Sequence, residues 1–593
     1  MKRVLATLLF GLLGVAAATA AAADPIPEGP RTAGLPEYQG APASPQPVAA
    51  PLPPHHPHMA PNERSNLHVD AFQTDTNVLT GPLGREMSVI STFYSADCGS
   101  VTFDSKGRIV TICVGINRPT LKLLDPRTLD ELASMDLPPR QPGAPSGPSV
   151  FQDFAGGGYF YLDDKDRAVV PTTTRHLYVV QVGETGFTLT QDVDLTGHVP
   201  QGDKIISALP DWSGLQWFAS VNGVMGTVDL ASGRIKSFDT GEPNGNSFAV
   251  DDEGGVYVVT DGALYRFDAG PDGAPQVTWR EVYENTGTMK PGQTQKGSGT
   301  TPTVMDGGLV AITDNADPMN VVVYRRARTI DGPRKICQAP VFEKGKSATD
   351  NSLIAAGRSL VVENNYGYTG PQSTDQGATT TPGVERVDLN PSGYGCRTAW
   401  HSDETSPTVV PKLSLGNGLV YVYTKPPNQP GGGDGWYLTA LDFRTGKTVY
   451  KRLTGEGLGF NNNYAPVTIG PDGTAYVGTL GGLVAVRDAT APPQGLGDSG
   501  VLMDGSLRPL LSLRVARHRS TRLVRASVGG HDAGLVESVD FKLGNRRLRS
   551  DSRKPFTRLI RVNRSRPQTI RVIAHLGDGT RKILKRTLRP RRR

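Results

Sequence analysis

NSFAVDDEGGVYVVTDGALYRFD, residues 246–268, decides the fold. Three short apolar runs are cut by two turns. The runs are SFAV, VYVV and ALYRF; the turns are DDEGG and TDG. β-Branched and aromatic residues suit a pleated, half-buried surface, while Gly and Asp supply the backbone angles of tight turns. Each run has the length of a strand and none carries a helical period. One such stretch is a β-meander with nothing to cover its faces.

The same pattern recurs. SVTFDSKGRIVTIC (100–113), TPTVMDGGLVAIT (301–313), NSLIAAGRSLVVEN (351–364) and APVTIGPDGTAYVGTLGGLVAVRD (465–488) each give a strand, a Gly/Asp turn and a Val/Tyr-rich strand. Turns follow the third strand in LLDPRTLDEL (123–132), TVDLASGRIKSF (227–238) and ALDFRTGKTVYKR (440–452). The D-x-x-[ST]-G-[KR] core of the last two reads as a hairpin between two outer strands. Units begin near 98, 150, 203, 246, 300, 350, 406 and 463. That makes eight, or seven if two of them merge. A lone four-stranded sheet cannot bury both faces, whereas radial stacking covers each with its neighbours and leaves a central channel. The expected fold is an all-β propeller over residues 98–490, eight-bladed or alternatively seven-bladed. MSVISTFYS (87–95), within the N-terminal segment 63–97, is expected to close the ring as the outermost strand of the last blade.

On the turns ALDFRTGKTVY and TVDLASGRIKSF, with PVTIGPDGTAYVGT, the chain resembles quinoprotein-like β-propellers. These include the pyrroloquinoline quinone dehydrogenases and many noncatalytic relatives. The resemblance spans 98–490 and implies fold rather than activity. The adjacent cysteine pair of those dehydrogenases is missing, and their calcium-ligating and catalytic carboxylate motifs have no counterpart. The quinone is therefore not assigned.

The chain has 593 residues, 70 of them Gly and 47 Pro, with 20% charged and 37% hydrophobic residues. This is a turn-rich composition. Residues 1–23 read as a signal peptide: Lys2 and Arg3, an apolar run, then alanines with A-x-A sites. No later segment approaches the roughly 18 apolar residues of a membrane span. The protein is expected outside the cell or at its envelope. Residues 24–62 are Pro/Ala-rich and expected to form an exposed tether carrying His55, His56 and His58. Four cysteines in an exported chain favour disulfides. If VTFDSKGRIVTI turns at Ser105-Lys106, residues whose numbers sum to 211 lie opposite. That makes Cys98 and Cys113 cross-strand neighbours. Cys337–Cys396 follows by elimination.

After a linker (491–505), residues 506–593 alternate with period two and resemble the small immunoglobulin-like β-sandwiches appended to secreted bacterial proteins. This block holds 25 Lys/Arg against five Asp/Glu, a net +20, and the rest of the chain is acidic. Such a block is expected to adhere to an anionic surface, such as an acidic cell-wall polymer or phospholipid, or equally to serve solubility and attraction to the protein's own acidic ring. Nucleic acid is not an expected partner, because no aromatic stacking pattern accompanies the charge.

Chemistry is expected at the channel mouth. The unit starts supply Asp153, Asp203, Asn246, Thr301, Asn351, Ser406 and Asn463. The ends of the following strands supply Asp314, Asn315 and Asp317 in TDNADP, and Glu363, Asn364 and Tyr366 in ENNYGY. Lys425, Thr260-Asp261 and Arg175-His176 occupy comparable places. Oxygen-rich clusters suit calcium, with Asp314 and Glu363 as its ligands, or a sugar. Each is equally explained as an Asx turn capping a strand. In NLHVDAFQTDTN (66–77), His68 and Asp70 share a side if the segment is extended, with Asp75 beyond. The sequence carries no G-x-S-x-G, Walker, G-x-G-x-x-G or H-E-x-x-H motif. The leading expectation is a noncatalytic module binding a glycan, peptide or small molecule. The alternative is a sugar- or alcohol-directed oxidoreductase, lyase or hydrolase.

Overall fold

A computed structural model describes residues 23–27, 34–140, 150–488, 511–517, 522–529, 536–563, 565–576 and 581–589. The segment read as a signal peptide, save Ala23, and the expected 491–505 linker lie outside these residues. The protein is all-β and propeller-like. Residues 97–488 form a succession of antiparallel sheets, each running strand to neighbouring strand in chain order. The quoted 246–268 stretch gives Ala249–Val250, Val256–Val259 and Ala263–Ala269, and Pro275–Val282 completes its sheet. Eight such sheets occur among the described residues of the ring. The first runs Asp97–Phe103, Ile109–Val114, Pro119–Leu124, Glu131–Asp136. The eighth takes Met87–Phe93 as its outermost strand, in register Met87↔Asp488 through Phe93↔Gly482. A strand from before the first sheet thus completes the last one.

Apolar side chains pack between adjacent sheets, with Trp217, Trp436, Tyr257 and Tyr421 fully buried. Both cysteine pairs form disulfides: Cys98–Cys113 and Cys337–Cys396, the second joining the outer strands of the fifth and sixth sheets. The expected register was off by one. The hairpin pairs Phe103↔Ile109 through Ser100↔Ile112, so opposed numbers sum to 212. An irregularity between Asp97 and Ser100 shifts the pairing to Asp97↔Val114 and brings the cysteines opposite each other. The bulge, not the turn, aligns them.

The described residues of 24–62 do not form a solvated tether. Tyr38–Gly40 pairs with Tyr450–Arg452 at the outer edge of the seventh sheet. Ala43, Gln46 and Val48 donate backbone hydrogen bonds to Leu83, Asn417 and Leu415. Ile26, Leu35 and Ala43 are buried. His56 packs on Trp212 with ring centroids 4.1 Å apart, and burial drives its pKa down to about 3. A proline-rich strand needs few backbone partners, so a handful of apolar side chains is enough to lay it on the ring.

Residues 511–589 supply two further sheets around one core of Val539, Phe541, Ile560, Ile570 and Val572. Among the described residues no helix is long and apolar enough to cross a membrane.

Candidate functional site

The segment 64–77 fills the middle of the ring, and every residue of it is buried. Its carbonyls accept from the innermost strand of one sheet after another: Ser65 from Leu162, Ala71 from Val250, Phe72 from Val304, Thr74 from Ala355, Asp75 from Leu413 and Asn77 from Leu415. Thr76–Asn77 adds a parallel strand to Leu413–Ser414. The segment coils rather than extends, with positive φ at Val69 (81°), Gln73 (60°) and Asp75 (53°). An inner strand exposes unpaired N–H groups, and this plug satisfies them in turn.

Coiling changes the partner of His68. Asp70 turns to Thr74, whose Oγ1 donates at 2.5 Å, and burial pushes this carboxyl up to about 7. His68 Nδ1 instead lies 3.1 Å from both oxygens of Asp75. Lys412 Nζ donates to Asp75 at 2.5 Å, and the Ser352 hydroxyl bonds both Asp75 and His68. Burial raises the Asp75 pKa, but Lys412 and His68 outweigh it and hold the carboxyl below its usual range. An ionised Asp75 keeps a proton on Nδ1, so in the neutral imidazole Nε2 is the lone-pair nitrogen. Nε2 is buried and has no hydrogen-bond partner.

His68 and Leu67 belong to the wall of a cavity of about 310 Å³. Its polar lining includes Asp97, Arg140, Asp153, Tyr159, Asp350 and Asn463; Phe151, Phe154, Ile112 and Tyr464 supply apolar surface. Two carboxylates are half satisfied. Asp350 Oδ2 accepts from the Thr294 N–H and hydroxyl, while Oδ1 is buried without a partner. Asp97 Oδ2 accepts from Asn463 Nδ2 at 3.2 Å, while Oδ1 has none. Burial pushes each to about 7; Thr294 offsets this at Asp350, and Asn463 and Arg140 offset it at Asp97. Asp153, by contrast, is paired with Lys204 at 2.6 Å and Arg140 at 3.6 Å. The cavity therefore presents unmet acceptors, and a ligand rich in donors would satisfy them.

Of the residues expected at the mouth, His68, Asp153, Thr301, Asn351 and Asn463 line this cavity. Asn246 stands behind it, accepting from the Tyr159 hydroxyl at 2.8 Å. Glu363 and Asn351 form a buried clamp: Asn351 Nδ2 reaches Glu363 and the carbonyls of Thr408 and Val409. Asp314 is absorbed by its own loop, accepting from the N–H of Ala316 and from the N–H and Nδ2 of Asn320. Asn315 and Asn364 likewise hold loop carbonyls through their amides. Asp314 and Glu363 share no partner and do not line the cavity, so the calcium suggested for them is not carried forward. Among the described residues no three His, Cys, Asp or Glu side chains converge as a metal set. Sequence reasoning missed Asp97, Tyr159 and Asp350. The last stands one residue before the expected unit start at Asn351.

No family model matches the chain. An uncharacterized protein of Archaeoglobus fulgidus is 29% identical over 326 residues, 49% of this chain and 62% of that protein. The chain thus spans under two thirds of that relative. Among solved structures, PorZ, an essential bacterial surface component of the type-IX secretion system of Porphyromonas gingivalis, is 13% identical. The match covers 81% of this chain and 58% of that one, with a TM-score of 0.34. A chain of the mitotic checkpoint complex is 11% identical over 58% of this chain and 92% of that one, with a TM-score of 0.33. Scores this low bring no functional argument.

Proposed function

We propose that this is an exported cell-envelope protein whose eight-bladed, quinoprotein-like ring binds a small, donor-rich ligand in its central cavity without transforming it. The C-terminal block is an immunoglobulin-like module that holds the ring to an anionic surface. The observation that carries the ligand reading is the set of unpartnered polar atoms at one cavity: Asp97 Oδ1, Asp350 Oδ1 and His68 Nε2. Buried acceptors left unmet are costly, and a bound polyol or primary amine would meet them beside the aromatic wall. The disulfides support export.

The test is a thermal-shift and calorimetric titration of the purified protein with hexitols, free sugars and aliphatic amines. A binder raises the unfolding midpoint by mass action, about 2.7 kcal/mol at a hundredfold excess over Kd. Asp97→Asn plus Asp350→Asn should abolish that shift. No shift from any donor-rich probe, or one indifferent to both substitutions, overturns the reading. A second reading, an enzyme, is favoured by His68 alone. Its Asp75-oriented imidazole with a bare Nε2 has the form of a general base. Turnover of a bound probe, lost in His68→Gln while binding persists, would select it.

A further inference from the structure

In the C-terminal module one sheet runs Arg546–Asp551, Val536–Leu543, Gln568–Leu576, Arg581–Leu588 from edge to edge. Phe541, Val572 and Ile570 face the core, so alternate residues face out. Lys542 is opposite Arg547 on one side and Arg571 on the other, and Arg571 is opposite Lys585. Arg547, Lys542, Arg571 and Lys585 therefore form one row across all four strands, at steps of about 4.8 Å. Like charges directly opposite repel, and a sheet that only needed solubility would alternate its signs. Asp540 is the carboxylate bonded on this face, and it is taken by Arg547 at 3.0 Å and His575 at 3.3 Å. Lys542, Arg571 and Lys585 have no carboxylate partner among the described residues, and Arg571 Nε is buried without a hydrogen-bond acceptor.

We infer that this row is the docking track for a linear polyol-phosphate polymer, laid across the strands with its phosphodiesters on successive cations. Two arginines in the row suit phosphate oxygens through paired N–H groups. Around the row the outward residues include Thr569, Ile573 and His575 on one strand and Arg581, Ile583 and Thr587 on the next. The face thus offers no Phe, Tyr or Trp on which a nucleobase or a sugar ring could stack. An anion on an aliphatic polyol needs no such platform. The inference rests on the reading of the module as the part that meets an anionic surface, and it names the face and the polymer.

The test uses the full-length protein and purified poly(glycerol phosphate), with polyuronate, DNA and phosphatidylglycerol vesicles as competitors. Lys542→Gln, Arg571→Gln and Lys585→Gln together should weaken binding tenfold or more. They should also reduce the slope of log K against log salt by about three. The comparison variant removes three exposed arginines from the other sheet: Arg514→Gln, Arg525→Gln and Arg561→Gln. It should bind within twofold of the parent, and matched melting of the two variants excludes a folding cause. Equal losses in both variants mean diffuse charge and overturn the track while leaving surface adhesion standing. Tighter binding of vesicles, DNA or polyuronate overturns the polymer. A parent that binds none of the four overturns the surface reading itself.

Discussion

Asp75 is the residue on which the centre of the molecule turns. It is fully buried, carries a charge, and is matched by Lys412, itself 1% exposed. Removing one member of such a pair strands the other, a loss of about 3–5 kcal/mol. Asp75→Asn should therefore destabilise the protein by that order in urea denaturation. Adding Lys412→Met should restore much of the loss, and additive effects would mean that the pair is not coupled. His68→Gln should alter stability far less, because Asp75 retains Lys412 and Ser352. The sequence made the His–Asp idea visible but named Asp70. An extended segment has a period of two; this one turns through left-handed positions at Val69 and Gln73, and the periodicity no longer applies.

At the scale of elements, one strand closes the ring and one disulfide staples it: Met87–Phe93 completes the eighth sheet, and the Cys337–Cys396 bond joins the neighbouring fifth and sixth sheets. The two cysteines are 59 residues apart, and a cross-link of that span restricts the unfolded chain by about 4 kcal/mol in the chain-entropy account. Cys337→Ser with Cys396→Ser should lower stability by that order. Cys98→Ser with Cys113→Ser, across 15 residues, should cost about 3 kcal/mol. Equal midpoints for parent and variants in denaturant would contradict this. Strand positions and ring closure were legible because turn residues and alternation are local signals. The bulge that sets the Cys98–Cys113 register was not, because it arises where the inner strand meets its neighbours.

At the scale of the whole molecule, burial inside the ring makes a set of carboxyls harder to ionise. Asp70, Asp97 and Asp350 are pushed up to about 7 and Glu363 to about 8, in each case chiefly by desolvation. In the unfolded chain such groups titrate near 3.9 and 4.3. Between those values the native state holds protons that the unfolded state has released, so stability falls as pH rises from about 4 to about 8. Asp75 acts the other way. Its native pKa is depressed, so its contribution is present above the unfolded value and disappears only as pH falls through the native one. The ligand-free protein should thus be more stable at pH 5 than at pH 8 by urea midpoint, and Glu363→Gln should flatten that slope. A midpoint that rises toward pH 8 would mean that these carboxyls are ionised in the native state.

The sequence by itself determined the all-β, propeller-like class, the repeat, the cysteine pairs and the charge of the last block. Each of these is written in local spacing or in composition. Only the tertiary structure decided that the Pro/Ala-rich stretch lies on the ring, that 64–77 plugs it, and which carboxylates face the cavity. The reason is physical. Asp97 starts the first sheet, while Tyr159 and Asp350 precede the innermost strands of the second and sixth, and nothing in their immediate sequence distinguishes them from turn residues. What makes them a site is the desolvated space they share, which exists only once the sheets have closed around the plug.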